Sequence, residues 1–197
     1  MVSNIRRESG GRIVRPPWSC DGIPGEMGNI ADPGQDELKE DCMANVQAVP
    51  KGHHTVTPHL IVNKASEAID FYKKAFGATE VSRFAGPDGK IMHAEVQIGD
   101  SRVMLGDEMP EMGARGPKAI GGTPVGLFLY LNDVDRFWKQ ATGAGAKQVE
   151  PLINQFWGDR SGCVEDPYGH RWWLSQHIED LSDEELGKRA KEAFATR

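Results

Sequence analysis

Three polar side chains in the first half of the apolar-patterned region are of types that bind metals or move protons. His93 and Glu95 are two positions apart in the run 91–98, and His59 opens another apolar run, 59–62. Residues two apart on a strand point to the same face, so His93 and Glu95 are expected side by side. Such residues can bind Zn²⁺, Fe²⁺ or Ni²⁺, can contact a ligand, or can act as a base with its orienting partner. They can also be polar residues that line a water-filled cleft without a further role. The spacing leaves these interpretations open.

A second group of residues is suited to holding a planar molecule. Trp157 precedes Gly158, and Arg160 lies between Gly158 and Gly162, in a stretch predicted to be a loop. An aromatic ring can stack on a planar ligand while a neighbouring guanidinium binds a carboxylate or phosphate. In the alternative interpretation Trp157 fills the core and Arg160 pairs with Asp159 or Glu165. Further aromatic walls are expected from Phe128, Tyr130 and Trp173.

The elements that position these residues follow a strand–helix pattern that occurs twice. The first copy runs from His59 to Ala78 and the second from Phe128 to Ala146. In each copy an apolar strand leads into an amphipathic helix that ends at a turn of small residues and glycine. A repeat of this size is one supersecondary unit, which must pack on another to bury its apolar face. Two such units facing each other would enclose a cleft for a small ligand.

The predicted fold class is α+β, with two βαβββ modules forming curved mixed sheets around a cleft. Module one is assigned to residues 54–108 and module two to 124–178, so that the whole domain spans 53–178. The connection, 109–123, is rich in glycine and proline, as expected for a linker.

Both termini are predicted to lie outside this domain. Residues 1–50 show no apolar periodicity and are predicted to be a disordered or loosely attached extension. Residues 179–197 are predicted to contain a C-terminal helix. Ser182 with Glu185 three residues later forms a capping box at its start.

Strand alternation predicts which side chains face the cleft, because the apolar set on each strand must cover its helix. The inward set contains most of the polar and aromatic candidates. Its members are Thr57, His59, Ile61, His93, Glu95, Gln97, Arg102, Met104, Gly126, Phe128, Tyr130, Arg171, Trp173 and Ser175.

Composition excludes several classes of function. The formal net charge of -6 argues against nucleic acid as a partner, because phosphate binding needs a basic surface. No segment approaches the roughly 20 apolar residues of a membrane span. The three cysteines show no metal-binding spacing and no disulfide framework, so we expect a cytoplasmic protein with reduced thiols.

Several motifs together resemble one family. They are residues 54–62, 68–72, 75–78, 91–95 and 155–162, with Asp166-Pro-Tyr-Gly-His170. Over roughly residues 53–190 the chain resembles the vicinal oxygen chelate superfamily, and more narrowly its PhnB-like branch, grouped with glyoxalases and bleomycin-resistance proteins. The resemblance implies two βαβββ modules around a cleft that is often completed by dimerisation. Many members hold a divalent metal there, and others, including drug-binding ones, hold none.

The resemblance also implies where a metal would be bound. The family's four ligand positions correspond to Thr57, Met104, Gly126 and Trp173, none of which is a histidine or glutamate. A divalent ion needs nitrogen or oxygen ligands, so we expect no metal cofactor. A weaker alternative is one divalent metal, Zn, Ni or Fe, on an atypical ligand set.

The predicted function is therefore binding of a small organic molecule in a metal-free cleft, by a protein that forms a homodimer and contacts neither nucleic acid nor membrane. One alternative is a metal-dependent lyase or dioxygenase that uses His59, His93 and Glu95. Another is an interaction module with a vestigial cleft. The candidate ligand-binding residues are His59, His93, Glu95, Arg102, Phe128, Tyr130, Trp157, Arg160 and Trp173.

Overall fold

The structure is a computed structural model that describes residues 46–195. Most of the predicted N-terminal extension, residues 1–45, lies outside the described part of the chain. The first module contains four strands and one long helix in the predicted order. They are β1 (His59–Val62), α1 (Ala65–Phe76), β2 (Thr79–Ala85), β3 (Ile91–Ile98) and β4 (Ser101–Asp107).

The second module repeats this order after a connection that contains a 3-10 turn, Pro110–Met112, and the short helix α2 (Pro117–Ile120). A C-terminal helix follows the module. The elements are β5 (Gly126–Tyr130), α3 (Val134–Gly143), β6 (Lys147–Asn154), β7 (Asp159–Glu165), β8 (Arg171–His177) and α4 (Asp183–Ala195).

The two sheets have the same topology. The strand orders are β1-β4-β3-β2 and β5-β8-β7-β6. In each sheet the first strand is parallel to the last, and the remaining pairs are antiparallel. The predicted α+β class with two βαβββ modules and a C-terminal helix is confirmed.

Each sheet has a helix side and an open side, as the alternation predicts. In module one Leu60, Val96 and Leu105 are buried on the helix side, together with Ile69 and Tyr72 of α1. Asp107 fixes the start of the helix, because one of its oxygens accepts the backbone N–H of Ala65 at 2.7 Å and the other accepts that of Ile91 at 2.7 Å. The same carboxylate therefore ties α1 to the sheet beneath it.

The two modules pack through their helix sides. Tyr72 and Phe76 of α1 contact the buried Trp172 of β8, with ring centroids 5.4 and 4.7 Å apart. Asp166 accepts hydrogen bonds from the Tyr72 hydroxyl at 2.8 Å and from the Trp172 indole N–H at 2.9 Å. Because the helix sides meet, the open sides of the two sheets do not face each other within one chain.

One predicted loop is largely a strand. The prediction of a loop over residues 157–162 is confirmed for 157–158, which lie in a turn, and was wrong for 159–162, because β7 begins at Asp159. Gly162 lies inside the strand, where a Cβ atom would come within 2.7 Å of Trp138 on α3. The glycine marks a close approach between sheet and helix and not a loop.

The C-terminal helix begins as predicted, since the backbone N–H of Glu185 donates to the Ser182 hydroxyl at 3.2 Å. Among the described residues, no helix is long and apolar enough to cross a membrane.

Candidate functional site

The open side of module one carries a polar cluster around Glu95. Its carboxylate accepts a hydrogen bond from the Arg102 guanidinium at 3.3 Å. The other carboxylate oxygen lies 3.5 Å from Nε2 of His93 and 3.5 Å from Nε2 of His53. The structure therefore brings together His93, Glu95 and Arg102, as the alternation predicts, and adds His53 to them.

His59 lies beside this cluster on β1. Its ring centroid is 6.1 Å from that of His93. Partial burial and the neighbouring His93 lower the pKa of His59, which favours its neutral imidazole. Within residues 46–195, no group of three or more His, Cys, Asp or Glu side chains has an arrangement that could hold a metal ion.

His53 has no counterpart among the sequence-based candidates. It lies before β1, and its side chain is only 13% exposed because this segment folds over the open side of module one. Neither ring nitrogen has a hydrogen-bond partner among the described residues. Local periodicity cannot predict that the segment before β1 folds over the sheet, so the sequence does not indicate His53 as a candidate.

The open side of module two carries an aromatic face. The rings of Phe128 on β5 and Trp173 on β8 are stacked, with centroids 5.4 Å apart and planes inclined by 3°. Phe128 remains 54% exposed. Gly126 allows this stack, because a Cβ atom there would lie 3.1 Å from the Trp173 indole nitrogen. A second planar molecule can lie against this exposed ring system.

Two further aromatic side chains of this open side converge on one buried carboxylate. The Tyr130 hydroxyl donates to Asp159 at 3.3 Å, and the Trp157 indole N–H donates to the same oxygen at 3.2 Å. Partial burial and the negative charge of Asp159 raise the pKa of Tyr130. In the sequence Asp159 stands out only as a possible partner for Arg160, and nothing there indicates that it orients these aromatics.

Arg160 does not belong to this face. It is one residue along β7 from Asp159, so its side chain leaves the sheet on the helix side. Its guanidinium forms two hydrogen bonds to Asp135 of α3, at 2.8 and 2.9 Å, and one to Asn154 at 3.1 Å. This ion pair lowers the pKa of Asp135. The predicted pairing of Arg160 with a ligand, and its alternative partners Asp159 and Glu165, are both replaced by Asp135.

Some candidates from the two modules share a groove at the edge of the sheets. A groove of about 610 Å³ lies between the segment before β1, the β3–β4 turn and β5, and it is lined by Arg102, Phe128 and Tyr130. A smaller groove of about 270 Å³ lies between β1, α2 and β5, and it includes His59.

Comparison with known families assigns this arrangement. A model of the Glyoxalase/Bleomycin resistance protein/Dioxygenase superfamily matches residues 51–174, which include the first sheet and the second as far as the middle of β8. The chain belongs to this superfamily. The match contains all nine candidate ligand-binding residues, and it ends inside β8, before Ser175 and the helix α4.

The chain is also similar to individual proteins. An uncharacterized protein of Mycobacterium bovis, Mb0911c, is 46% identical over 134 residues, which are 66% of this chain and 88% of the relative. The crystal structure of TioX from Micromonospora sp. ML1 is 28% identical, with a TM-score of 0.52 over 64% of this chain and 99% of that one. TnmS3 from Streptomyces sp. CB03234 is 22% identical, with a TM-score of 0.50 over 67% and 99% of the two chains.

Proposed function

We propose that this superfamily member binds a small organic molecule with a planar ring system, and that the molecule lies against the aromatic face of module two. The observation that carries this proposal is the parallel stack of Phe128 on Trp173, with Phe128 more than half exposed. An exposed aromatic ring of this size is favourable to bury, and offset stacking adds about 0.5–1.5 kcal/mol to the area term. The sequence contains no motif typical of phosphate binding or of an activated nucleophile, so neither function competes with this proposal.

We further propose that the ligand is bound without a metal. The four positions that carry metal ligands in the family are Thr57, Met104, Gly126 and Trp173, which supply no imidazole and no carboxylate. In the polar cluster of module one, Arg102 already lies 3.3 Å from Glu95. A guanidinium at that distance competes with a cation for the carboxylate. This donor set favours a polar contact with the ligand over coordination of Zn²⁺, Fe²⁺ or Ni²⁺.

The fold is compatible with this use. TnmS3, which shares the fold, is described as an antibiotic binding protein. We propose a ligand of comparable kind, an aromatic natural product or drug, and a cytoplasmic location for the protein that sequesters it.

A second copy of the chain is proposed to complete the cleft. The edge strand β5 and the residue before it expose large apolar side chains, with Val125 63%, Phe128 54% and Tyr130 65% exposed. Because the modules of one chain pack through their helix sides, a second copy would place a polar open side opposite an aromatic one. Sedimentation velocity is expected to show a dimer that Val125→Asp dissociates, whereas Lys139→Asp on α3 leaves it intact. A wild-type monomer at micromolar concentration would contradict the dimer.

Thermal-shift screening tests the ligand proposal. A panel of planar aromatic compounds, including aromatic antibiotics, is expected to raise the melting temperature equally with and without EDTA. Phe128→Leu keeps an apolar side chain but removes the stacking ring, so the shift should shrink by at least half. Phe137→Leu on α3 is the matched control and should retain the shift.

The same screen distinguishes the alternative. Stabilisation that EDTA abolishes, together with glyoxalase or dioxygenase turnover lost in His93→Ala, would establish the metal-dependent enzyme and refute the metal-free binder. A panel without any binder would favour the interaction module with a vestigial cleft.

A further inference from the structure

The buried carboxylate of Asp159 connects the aromatic face to the C-terminal segment. Asp159 is 5% exposed and begins β7. One of its oxygens accepts the hydrogen bonds from Tyr130 and Trp157, and the other accepts one from Nδ1 of His177 at 2.8 Å. The donors come from β5, from the turn before β7 and from the end of β8. One anion thus fixes side chains of three separate elements.

His177 extends this connection away from the sheet. Its second ring nitrogen, Nε2, lies 3.0 Å from the carboxylate of Asp180. An imidazole that faces a carboxylate at both nitrogens must carry a proton on each of them to donate both hydrogen bonds. The charged groups that face the ring are Asp159 from β7 and Asp180 from the segment after β8, and Tyr130 of β5 reaches it through Asp159. The hydrogen bonds to Asp159 and Asp180 raise the pKa of His177.

The segment after β8 is bound to the turn that carries Trp157. The carbonyl oxygen of Gly158 accepts the backbone N–H groups of Ile178 at 3.0 Å and Glu179 at 3.1 Å. Gly158 has φ +93°, and a Cβ atom there would collide with the carbonyl oxygen of Glu179. Arg189 of α4 then holds Glu179 through two hydrogen bonds, at 2.7 and 2.8 Å. The turn 155–158 therefore lies between Asp159 and the C-terminal segment.

We infer that Asp159 is the positioning residue of the aromatic face, and that protonated His177 couples ligand affinity to pH through it. Tyr130 and Trp157 are 65% and 37% exposed, so without this acceptor their polar ends would be free to rotate. This inference rests on the proposed binding of a planar ligand. When His177 loses its proton, one of its two hydrogen bonds to carboxylates is lost. Affinity should be full below the ordinary histidine pKa of about 6.5 and should fall as pH rises through the raised value.

The first experiment needs no ligand. The chain contains five tryptophans, and Trp157→Phe assigns the Trp157 indole N–H in a ¹H–¹⁵N correlation spectrum. In wild type this signal should shift between pH 5.5 and pH 9 with a single transition above pH 6.5. His177→Gln should abolish the transition, and Asp159→Asn should move the signal at every pH. Asp183→Asn, a matched change at the start of α4, should leave it as in wild type.

The second experiment measures affinity with the fluorescent probe anilinonaphthalene sulfonate. Wild-type binding is expected to weaken about three- to tenfold from pH 6 to pH 9, the factor that one hydrogen bond contributes. His177→Gln should bind weakly and independently of pH, whereas Asp183→Asn should retain the wild-type profile. Phe128→Leu should weaken binding at all pH values.

The outcomes separate the two proposals. If Phe128→Leu leaves probe affinity unchanged, the proposed ligand face is refuted, and the indole titration alone decides the role of Asp159. If Phe128→Leu weakens binding but the affinity does not follow the His177 transition, the coupling is overturned. A Trp157 indole signal that does not titrate with His177 overturns the positioning role itself.

Discussion

At the scale of single residues, two glycines of module two are required by the atoms above them. Gly126 leaves room for the Trp173 indole over β5, and Gly162 leaves room for Trp138 of α3. Neither position has a positive φ, so the requirement is space and not backbone conformation. Both glycines therefore act on the site through packing: one admits the aromatic stack, and the other lets the helix lie close to the sheet.

Gly162→Ala should destabilise the protein. The added Cβ atom would lie 2.7 Å from a ring carbon of Trp138 and 2.8 Å from the Cα atom of Leu152. Because Leu152 presents backbone, the clash cannot be relieved by a change of rotamer. We expect a loss of about 1–3 kcal/mol in the free energy of unfolding, measured by urea denaturation.

Gly143→Ala is the matched control for that substitution. No atom lies within 4 Å of a Cβ atom at Gly143, which ends α3. Removing a helical glycine should leave stability unchanged or raise it by up to about 1 kcal/mol. Equal stability of Gly162→Ala and wild type would show that the sheet and helix are not packed as described.

At the scale of elements, the sequence predicted the helices and strands more reliably than the connections. The apolar periodicity of β3 and α1 depends only on burial of one face, and the observed bounds agree with it within a residue or two. Gly158 and Gly162 have different structural causes: Gly158 lies in the turn before β7 with a positive φ, and Gly162 lies within β7 at a close contact with the helix. A glycine in the sequence does not distinguish these causes, so the sequence predicts a loop where the protein has a strand.

That misassignment had a direct consequence for the candidate site. Within a loop, Trp157 and Arg160 were expected to act on the same ligand. Within a strand, neighbouring residues alternate, so Asp159 joins the open side and Arg160 pairs with Asp135 on the helix side. His53 was missed for another reason, since only the tertiary fold brings the segment before β1 over Glu95.

At the scale of the whole molecule, a carboxylate in the Asp166-Pro-Tyr-Gly-His170 turn helps to join the two modules. One oxygen of Asp166 accepts the backbone N–H groups of Tyr168 and His170, both at 2.9 Å. Its other oxygen accepts the Tyr72 hydroxyl from module one. His170 adds a contact of 3.1 Å to the carbonyl oxygen of Ile61 on β1. This motif, one of those that resemble the family, therefore stabilises the junction between the modules. It leaves the open sides free for the site.

Asp166→Asn should therefore weaken the junction. Asp166 is 3% exposed and accepts four hydrogen bonds, two at each oxygen. An asparagine side chain has only one oxygen. Its NH₂ group must therefore face two donors, which are either the backbone N–H groups of the turn or the Tyr72 hydroxyl and the Trp172 indole N–H. Leaving buried donors unpaired should cost roughly 2–4 kcal/mol in the free energy of unfolding, measured in urea.

Tyr72→Phe tests the junction between the modules without changing the hydrogen bonds of the turn. It removes one hydrogen bond of the same carboxylate and should cost about 1–2 kcal/mol. Because both changes act on one network, the double variant should lose less stability than the sum of the two single variants. Additive losses would mean that Tyr72 and Asp166 stabilise their own modules independently. In that case the back-to-back arrangement, and with it the need for a second copy to close the cleft, would lose its structural basis.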